Sequence, residues 1–164
     1  MAMPTGFNTV NTYLIVPNSK EAMELYKKAF GAEGGVCMDL PDGSTMHAEL
    51  KIGNSTLMLT DENPEWQMKS ALTLGGSAAN LHLYLEDTDA VDAMFNQAVA
   101  AGMEAVMPPM EMFWGDYYGK VADKYGFQWG FATQTKEMTE EELEAGKNAW
   151  LAEMAAQGGG EGEG

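Results

Sequence analysis

Two stretches of the sequence decide the fold, TVNTYLIVPNSKEAMELYKKAFGA at residues 9–32 and AANLHLYLEDTDAVDAMFNQAVAAG at residues 78–102. A shift of 69 positions carries Asn11 onto Asn80. In both stretches a short run of alternating apolar and polar residues is followed by a polar turn and then by an amphipathic helix. The chain therefore contains two copies of one structural unit.

Apolar periodicity and capping residues locate the helix of each copy. They predict helices near 18–30 and 88–101, each with its apolar side at helical spacing. Asn18 or Ser19 is a candidate N-cap of the first helix, and Asp87 or Thr88 of the second. The two helices should cover one side of the sheets formed by the strands.

Strand and turn signals follow each helix. In the first half, PDG at 41–43 and GN at 53–54 are turns that separate runs of strand-forming residues, and DKYG at 123–126 has the same role in the second half. Each half therefore follows a β-α-β-β-β pattern. The fold class is α+β, with two βαβββ modules and a C-terminal helix.

The same signals divide the chain into five parts. We predict a first βαβββ module, a linker or ordered loop without clear periodicity, a second βαβββ module, a C-terminal helix and a disordered glycine-rich tail. Their boundaries are 9–62, 63–78, 79–136, 137–157 and 158–164, respectively.

The charge of the chain excludes whole classes of partner. The formal net charge is −16, and all nine basic residues are lysine. A chain without a basic surface repels nucleic acid and anionic membranes, so we predict neither as a partner. No apolar run approaches the roughly 20 residues of a membrane span, and the first residues lack the pattern of a signal peptide, so we expect none. The single cysteine, Cys37, forms no intramolecular disulfide, and we expect a cytoplasmic protein.

The two histidines of the chain lie in similar strands, STMHAEL at 44–50 and NLHLYLE at 80–86. Because side chains alternate across a strand, His47 should face away from the helix together with Glu49, and His82 together with Asn80 and Tyr84. Three interpretations are open: a pocket lined by polar side chains, a metal site of His47, Glu49 and His82, or ordinary exposed strand residues.

Four phrases, in their order along the chain, resemble a known family. They are YLIVPNSKEAMELYKKAFGA, MHAELKIGNSTLMLTDE, FWGDYYGKVADKYGFQWGFAT and TKEMTEEEL. The chain resembles the vicinal oxygen chelate superfamily, which includes glyoxalase I, bleomycin resistance proteins and extradiol dioxygenases, and within it the PhnB-like branch. The resemblance implies a concave cleft between two modules, with a homodimer as the expected assembly.

Metal-dependent members of this superfamily place four ligands in that cleft. Carried over onto this chain, the ligand positions fall on Asn11, near Met58, on Asn80 and near Gly130. None is histidine, aspartate or glutamate, the residues that usually hold a divalent ion there. We therefore predict no metal and no other cofactor; the alternative is a divalent metal at a displaced site.

The function that these features favour is small-molecule binding in a cleft with a degenerate metal site. Trp114 in FWGDYYG is a further candidate for the cleft because aromatic residues line apolar pockets. The alternatives are a lyase, isomerase or dioxygenase that uses a metal or a His/Glu pair, and a protein whose assembly matters more than any pocket. The predicted cleft residues are His47, Glu49, Asn80, His82, Tyr84, Trp114, Asn11 and Met58.

Overall fold

The computed structural model describes residues 4–158 and confirms the α+β fold, with two βαβββ modules followed by a C-terminal helix. The eight strands are β1 Thr12–Val16, β2 Glu33–Asp39, β3 Thr45–Ile52, β4 Ser55–Asp61, β5 Asn80–Tyr84, β6 Glu104–Glu111, β7 Asp116–Ala122 and β8 Gln128–Gln134. The helices are α1 Ser19–Phe30, α2 Ala71–Leu74, α3 Thr88–Ala100 and α4 Glu140–Gly158, and a 3₁₀ turn covers Pro64–Trp66. Module 1 runs from β1 to β4, and module 2 from β5 to β8.

The two modules have the same sheet topology. Strand order is β1-β4-β3-β2 in the first sheet and β5-β8-β7-β6 in the second. The first strand of each module pairs in parallel with the last, and the other pairs are antiparallel. Each module therefore carries its first strand, β1 or β5, at one edge of its sheet.

The helix of each module begins at one of its two candidate caps, Asn18 rather than Ser19 in α1. The Asn18 side chain accepts a hydrogen bond from the Glu21 amide at 3.1 Å, and the Asp87 side chain accepts one from the Ala90 amide at 2.8 Å. Of the two candidate caps of α3, the structure uses Asp87 rather than Thr88. These bonds satisfy donors that the first turn of a helix leaves unpaired.

The stretch between the modules is ordered. It contains the 3₁₀ turn and α2. The Glu62 side chain fixes the start of α2, because it accepts hydrogen bonds from the Ser70 amide at 3.0 Å and the Thr73 hydroxyl at 2.7 Å. The predicted disordered tail at 158–164 lies outside the described residues, except for Gly158 at the end of α4. Among the helices that are described, none is long and apolar enough to cross a membrane.

One hydrophobic core joins the modules. The rings of Tyr26 and Phe30 on α1 pack on Trp129 of β8, with centroid separations of 5.0 and 4.5 Å, and Phe30 also meets Phe131. Helix α1 therefore covers its own sheet and also contacts the central part of the other sheet. Helix α3 packs on α1 and on β6, β7 and β8.

A buried carboxylate fixes this junction. Asp123 accepts hydrogen bonds on one oxygen from the Tyr26 hydroxyl and the Trp129 indole, both at 2.8 Å, and on the other from the amides of Tyr125 and Phe127, both at 2.9 Å. Burial, with the nearby Asp123 charge, raises the pKa of Tyr26 well above its ordinary value. A buried charge that is held by four donors orients α1 relative to the turn between β7 and β8.

Candidate functional site

The side of each sheet that faces away from its helix is called the open face. The open face of module 1 carries Tyr13, His47, Glu49 and Met58, and that of module 2 carries His82, Tyr84, Tyr118 and Gly130. Strand alternation explains the arrangement, since Ala48 and Leu50 are buried while the residues between and before them are not.

On module 1 the two predicted residues of β3 contact each other. The His47 Nε2 lies 2.9 Å from the Glu49 Oε1, and both side chains are partly buried. The Tyr13 ring stands nearly perpendicular to the imidazole, with 5.9 Å between centroids. A carboxylate at this distance fixes the orientation of the imidazole and can share a proton with it.

On module 2 the imidazole of His82 lies among aromatic rings. Its centroid is 4.8 Å from that of Tyr84 and 5.4 Å from that of Tyr118, and the Tyr118 ring is nearly parallel to it. Partial burial lowers the pKa of His82 below its ordinary value, and the charge of Asp116 opposes that shift. At neutral pH this imidazole is therefore uncharged and can donate and accept a hydrogen bond.

A glycine makes this ring packing possible. A Cβ on Gly130 would lie 2.7 Å from the Tyr118 ring and 3.1 Å from the His82 Nδ1. Real Cβ atoms do not approach a ring atom as closely as the first of these distances. The position that the resemblance assigns to a metal ligand is therefore filled by the two rings.

Trp114 extends the ring group on module 2. Its indole nitrogen donates to the Asp116 Oδ2 at 3.1 Å, and its ring centroid lies 6.3 Å from that of Tyr118. Phe113 packs on Trp114 and on Trp150 of α4. The C-terminal helix thus touches the outer end of the ring group, which begins at Tyr84.

A cavity of about 880 Å³, called the junction cavity, lies between the modules. Its walls are the neighbouring edges of β1 and β5, the hairpin at residues 52–57, and side chains from both helices and from β8, including Phe30, Met94 and Trp129. This volume lies in the range of small-molecule sites, which often occur between domains.

The structure brings together only part of the predicted cleft. Asn80, His82 and Tyr84 line the junction cavity. His47, Glu49 and Met58 lie on the open face of module 1, and Trp114 lies at the outer end of the ring group on module 2. The side chain of Asn11 is used locally, since its Oδ1 accepts a hydrogen bond from the Asn8 amide at 2.8 Å.

The donor groups at these positions do not suit a divalent metal. Within residues 4–158, no group of three or more histidine, cysteine, aspartate or glutamate side chains is placed to hold an ion. His82 accordingly does not join His47 and Glu49 as the displaced site would require. Amide, thioether and glycine positions offer no set of ligands that a zinc, nickel or iron site uses.

Two residues of the open faces, Tyr13 and Tyr118, are not among the predicted cleft residues. Tyr13 is the counterpart of His82 under the 69-residue shift, and Tyr118 follows Asp116 by two positions on one strand. The repeat was sufficient to place Tyr13 on the open face of module 1, at the position that His82 has in module 2. The apolar walls of the junction cavity gave no comparable signal because their residues are typical of any core.

Comparison with known proteins gives the family. The model of the Glyoxalase/Bleomycin resistance protein/Dioxygenase superfamily matches residues 6–131. The chain belongs to this superfamily. A protein of Mycobacterium bovis, Mb0911c, itself uncharacterized, is 34% identical over 154 residues, which are 92% of this chain and 95% of the relative.

Solved structures of other proteins share the fold. The protein PA1353 from Pseudomonas aeruginosa is 25% identical, with a TM-score of 0.62 over 79% of this chain and 99% of the other. The PhnB protein from Bacillus cereus is 20% identical, with a TM-score of 0.56 over 77% and 99% of the two chains. The expected likeness to the PhnB-like branch is thus found at the level of structure.

Proposed function

We propose that the protein binds a small, largely apolar molecule in the junction cavity, and that it does so without a resident metal. The observation that carries this proposal is the cavity itself, where apolar side chains from both modules meet the polar groups of Asn80 and His82. Ligand sites typically combine mostly apolar walls with a few polar groups that orient the ligand. Membership of a superfamily that includes bleomycin resistance proteins supports binding without catalysis.

We further propose that the protein works as a cytoplasmic homodimer. The open faces expose large apolar side chains, with Tyr84 exposed by 68% and Met110 by 53%, and α4 exposes Trp150, Leu151 and Met154. Contiguous apolar surface of this kind is usually covered by a partner. Light scattering should give twice the 17.8 kDa mass of the chain, and a mass of one chain at micromolar concentration would contradict the dimer.

Binding is tested with N-phenylnaphthylamine, an uncharged fluorescent probe. We expect saturable binding that Leu83→Trp weakens, because a larger side chain at this position of the cavity wall takes up part of the space. Val106→Trp is the matched control, since Val106 is exposed on β6 and does not line the cavity. Equal binding by the two variants, each shown to be folded, would place the probe elsewhere.

The two histidines report how far a ligand reaches. His82→Ala should weaken probe binding because His82 lines the cavity. The sequence also places His47 in the cleft, but His47 lies on the open face of module 1, so His47→Ala should weaken binding only of a ligand long enough to reach that face. A loss at both positions would therefore identify an extended ligand.

A proton-transfer enzyme is the second candidate, and the contact of 2.9 Å between His47 and Glu49 favours it. An imidazole held by a carboxylate can remove a proton next to a carbonyl group. The test is deuterium incorporation into simple carbonyl compounds in D₂O, followed by NMR. Activity that His47→Ala and Glu49→Gln both abolish would support this function, and exchange no faster than in buffer would reject it for these compounds.

A further inference from the structure

The free edge of β1 presents backbone groups to the junction cavity. The Glu62 amide donates to the Val16 carbonyl at 2.8 Å, so the backbone of Val16 points towards β4. Backbone groups of successive strand residues point to opposite sides of the strand. Tyr13 and Ile15 therefore direct their N–H and C=O groups away from β4, and β1 has no second strand neighbour among residues 4–158.

The free edge of β5 has the same arrangement. The Leu85 amide donates to the Ala132 carbonyl at 2.8 Å, so Leu85 points towards β8. His82 and Tyr84 then direct their backbone groups away from β8, and in the described part of the chain β5 has no other strand neighbour. The repeat thus places equivalent unpaired groups, those of Tyr13 and His82, on the two edges.

Both edges border the same space. The residues that line the cavity include three consecutive residues of β1, Thr12 to Leu14, and six consecutive residues at β5, Asn80 to Leu85. Side chains of consecutive strand residues point to opposite faces, so a run without gaps indicates that the strands present their backbone edges. The cavity therefore offers two rows of backbone donors and acceptors between apolar walls.

We propose that the ligand of the junction cavity is a short extended peptide, bound by strand-type hydrogen bonds between the edges of β1 and β5. Unpaired sheet edges bind extended peptides in this way, with main-chain bonds giving affinity and side-chain pockets giving specificity. This inference rests on the proposed binding function and specifies the chemistry of its ligand.

The dimensions and charges of the cavity limit the peptide. Both edge strands have five residues, so at about 3.3 Å per residue an edge of roughly 16 Å accommodates three to five residues. Phe30 of α1 and Met94 of α3 contribute to the wall, and these helices pack on each other. The cavity is thus closed on the helix side, which favours a free oligopeptide over a strand that passes through. Its polar lining residues, such as Asn54, Ser77 and Asn80, are uncharged, which favours uncharged side chains.

The experiment uses the blocked tripeptide acetyl-Leu-Val-Leu-amide and its analogue with an N-methyl group on the central residue. The two peptides share their side chains and differ in one backbone donor. Calorimetry should show binding of the parent and at least tenfold weaker binding of the analogue. Amide hydrogen exchange at Tyr13, Ile15, His82 and Tyr84 should slow when the parent binds.

A matched pair of variants tests the protein side. Tyr13→Ala and Tyr13→Pro both remove the phenol ring, but only proline removes the backbone donor on the free edge. We expect Tyr13→Pro to bind the tripeptide about tenfold more weakly than Tyr13→Ala. Thermal unfolding monitors the ladder to β4, which neither change should interrupt.

Each outcome separates the peptide inference from the binding function. Equal affinity for both peptides, or equal affinity of the two Tyr13 variants for the parent, would overturn the inference. Binding of N-phenylnaphthylamine without binding of the tripeptide would overturn the inference and leave the proposed function standing. If neither molecule bound, both would be wrong.

Discussion

The open faces of the two modules carry the same pair of rings with their positions exchanged. Strand pairing makes Tyr13 equivalent to His82, because each lies opposite the equivalent residue of the last strand, Met58 or Gly130. By the same register His47 is equivalent to Tyr118. At these two equivalent positions each face therefore has one tyrosine and one histidine, in opposite order.

The residue between the rings decides how they pack. On module 2, Gly130 has no side chain, and the rings of His82 and Tyr118 lie nearly parallel, with an angle of 12° between them. On module 1, Met58 occupies the equivalent position and the rings of the tyrosine and histidine stand at 72°. A single side chain thus separates an imidazole that stacks on a tyrosine ring from one that contacts a carboxylate.

The largest expected difference between the modules lies in the core. Trp129 and Leu57 occupy equivalent positions, and both are buried. Trp129→Ala should reduce the free energy of unfolding by about 4 kcal/mol, because it removes the ring that α1 packs on and leaves Asp123 without one donor. Chemical denaturation should show a smaller loss of unfolding free energy for Leu57→Ala. Equal losses would contradict the expectation that Trp129 of module 2 stabilises the core more than its equivalent in module 1.

The second-largest expected loss of stability is at Tyr26, whose hydroxyl donates to Asp123. Tyr26→Phe removes a hydrogen bond to a buried carboxylate, and we expect a loss of about 2 kcal/mol in denaturant unfolding. Tyr117→Phe is the control, because its hydroxyl also donates to a carboxylate, that of Asp92, but at a less buried position. A loss of less than about 1 kcal/mol is expected there. Similar losses would show that the hydrogen bond between Tyr26 and Asp123 stabilises the fold no more than the one between Tyr117 and Asp92.

The two helix caps should contribute nearly equally to the free energy of unfolding. Asn18 and Asp87 are equivalent under the repeat and accept hydrogen bonds from equivalent amides. Each substitution by alanine should cost about 1 kcal/mol. Denaturation curves that differ between the two variants by much more than about 0.5 kcal/mol would show that the modules differ in their helices as well as in their open faces.

The smallest expected effect concerns the titration of His82. Burial lowers the pKa of His82 below the ordinary 6.5, so NMR should give a midpoint below that value. The unfolded chain then binds more protons between that midpoint and about pH 6.5, and stability should fall as the pH drops through this window and level off below it. His82→Phe should remove this slope.

Gly130→Ala tests the cause of the shift. The added Cβ would meet the Tyr118 ring, so the rings must separate and His82 must regain water. The NMR midpoint of His82 should then rise towards 6.5. A midpoint that stays in place would show that the stacked ring is not what removes the solvent.

Sequence reasoning succeeded where local rules decide the structure. The repeat, the caps Asn18 and Asp87 and the turns predicted both modules, because hydrogen bonds within one turn and alternation within one strand depend on neighbouring residues. Alternation also predicted that His47 and Glu49 share a face, and the structure confirms it.

The ring packing and the cavity could not be predicted in the same way. Stacking of His82 on Tyr118 depends on the register of three strands, which no local pattern specifies. The junction cavity depends on how the modules pack, and contacts such as that between Tyr26 and Asp123 join residues 97 positions apart. The resemblance supplied the cleft as an expectation, but not which residues would meet there.

The separation of 97 positions between Tyr26 and Asp123 has a consequence while the chain is being synthesised. At about 5–20 residues per second, roughly 5–20 s pass between the appearance of Tyr26 and that of Asp123 on the ribosome. Throughout this interval Tyr26 and Phe30 have no Trp129 to pack on, and the nascent first half exposes an aromatic surface. Translation speed between the two halves therefore sets how long this surface remains available to chaperones, and slow translation prolongs the risk of aggregation.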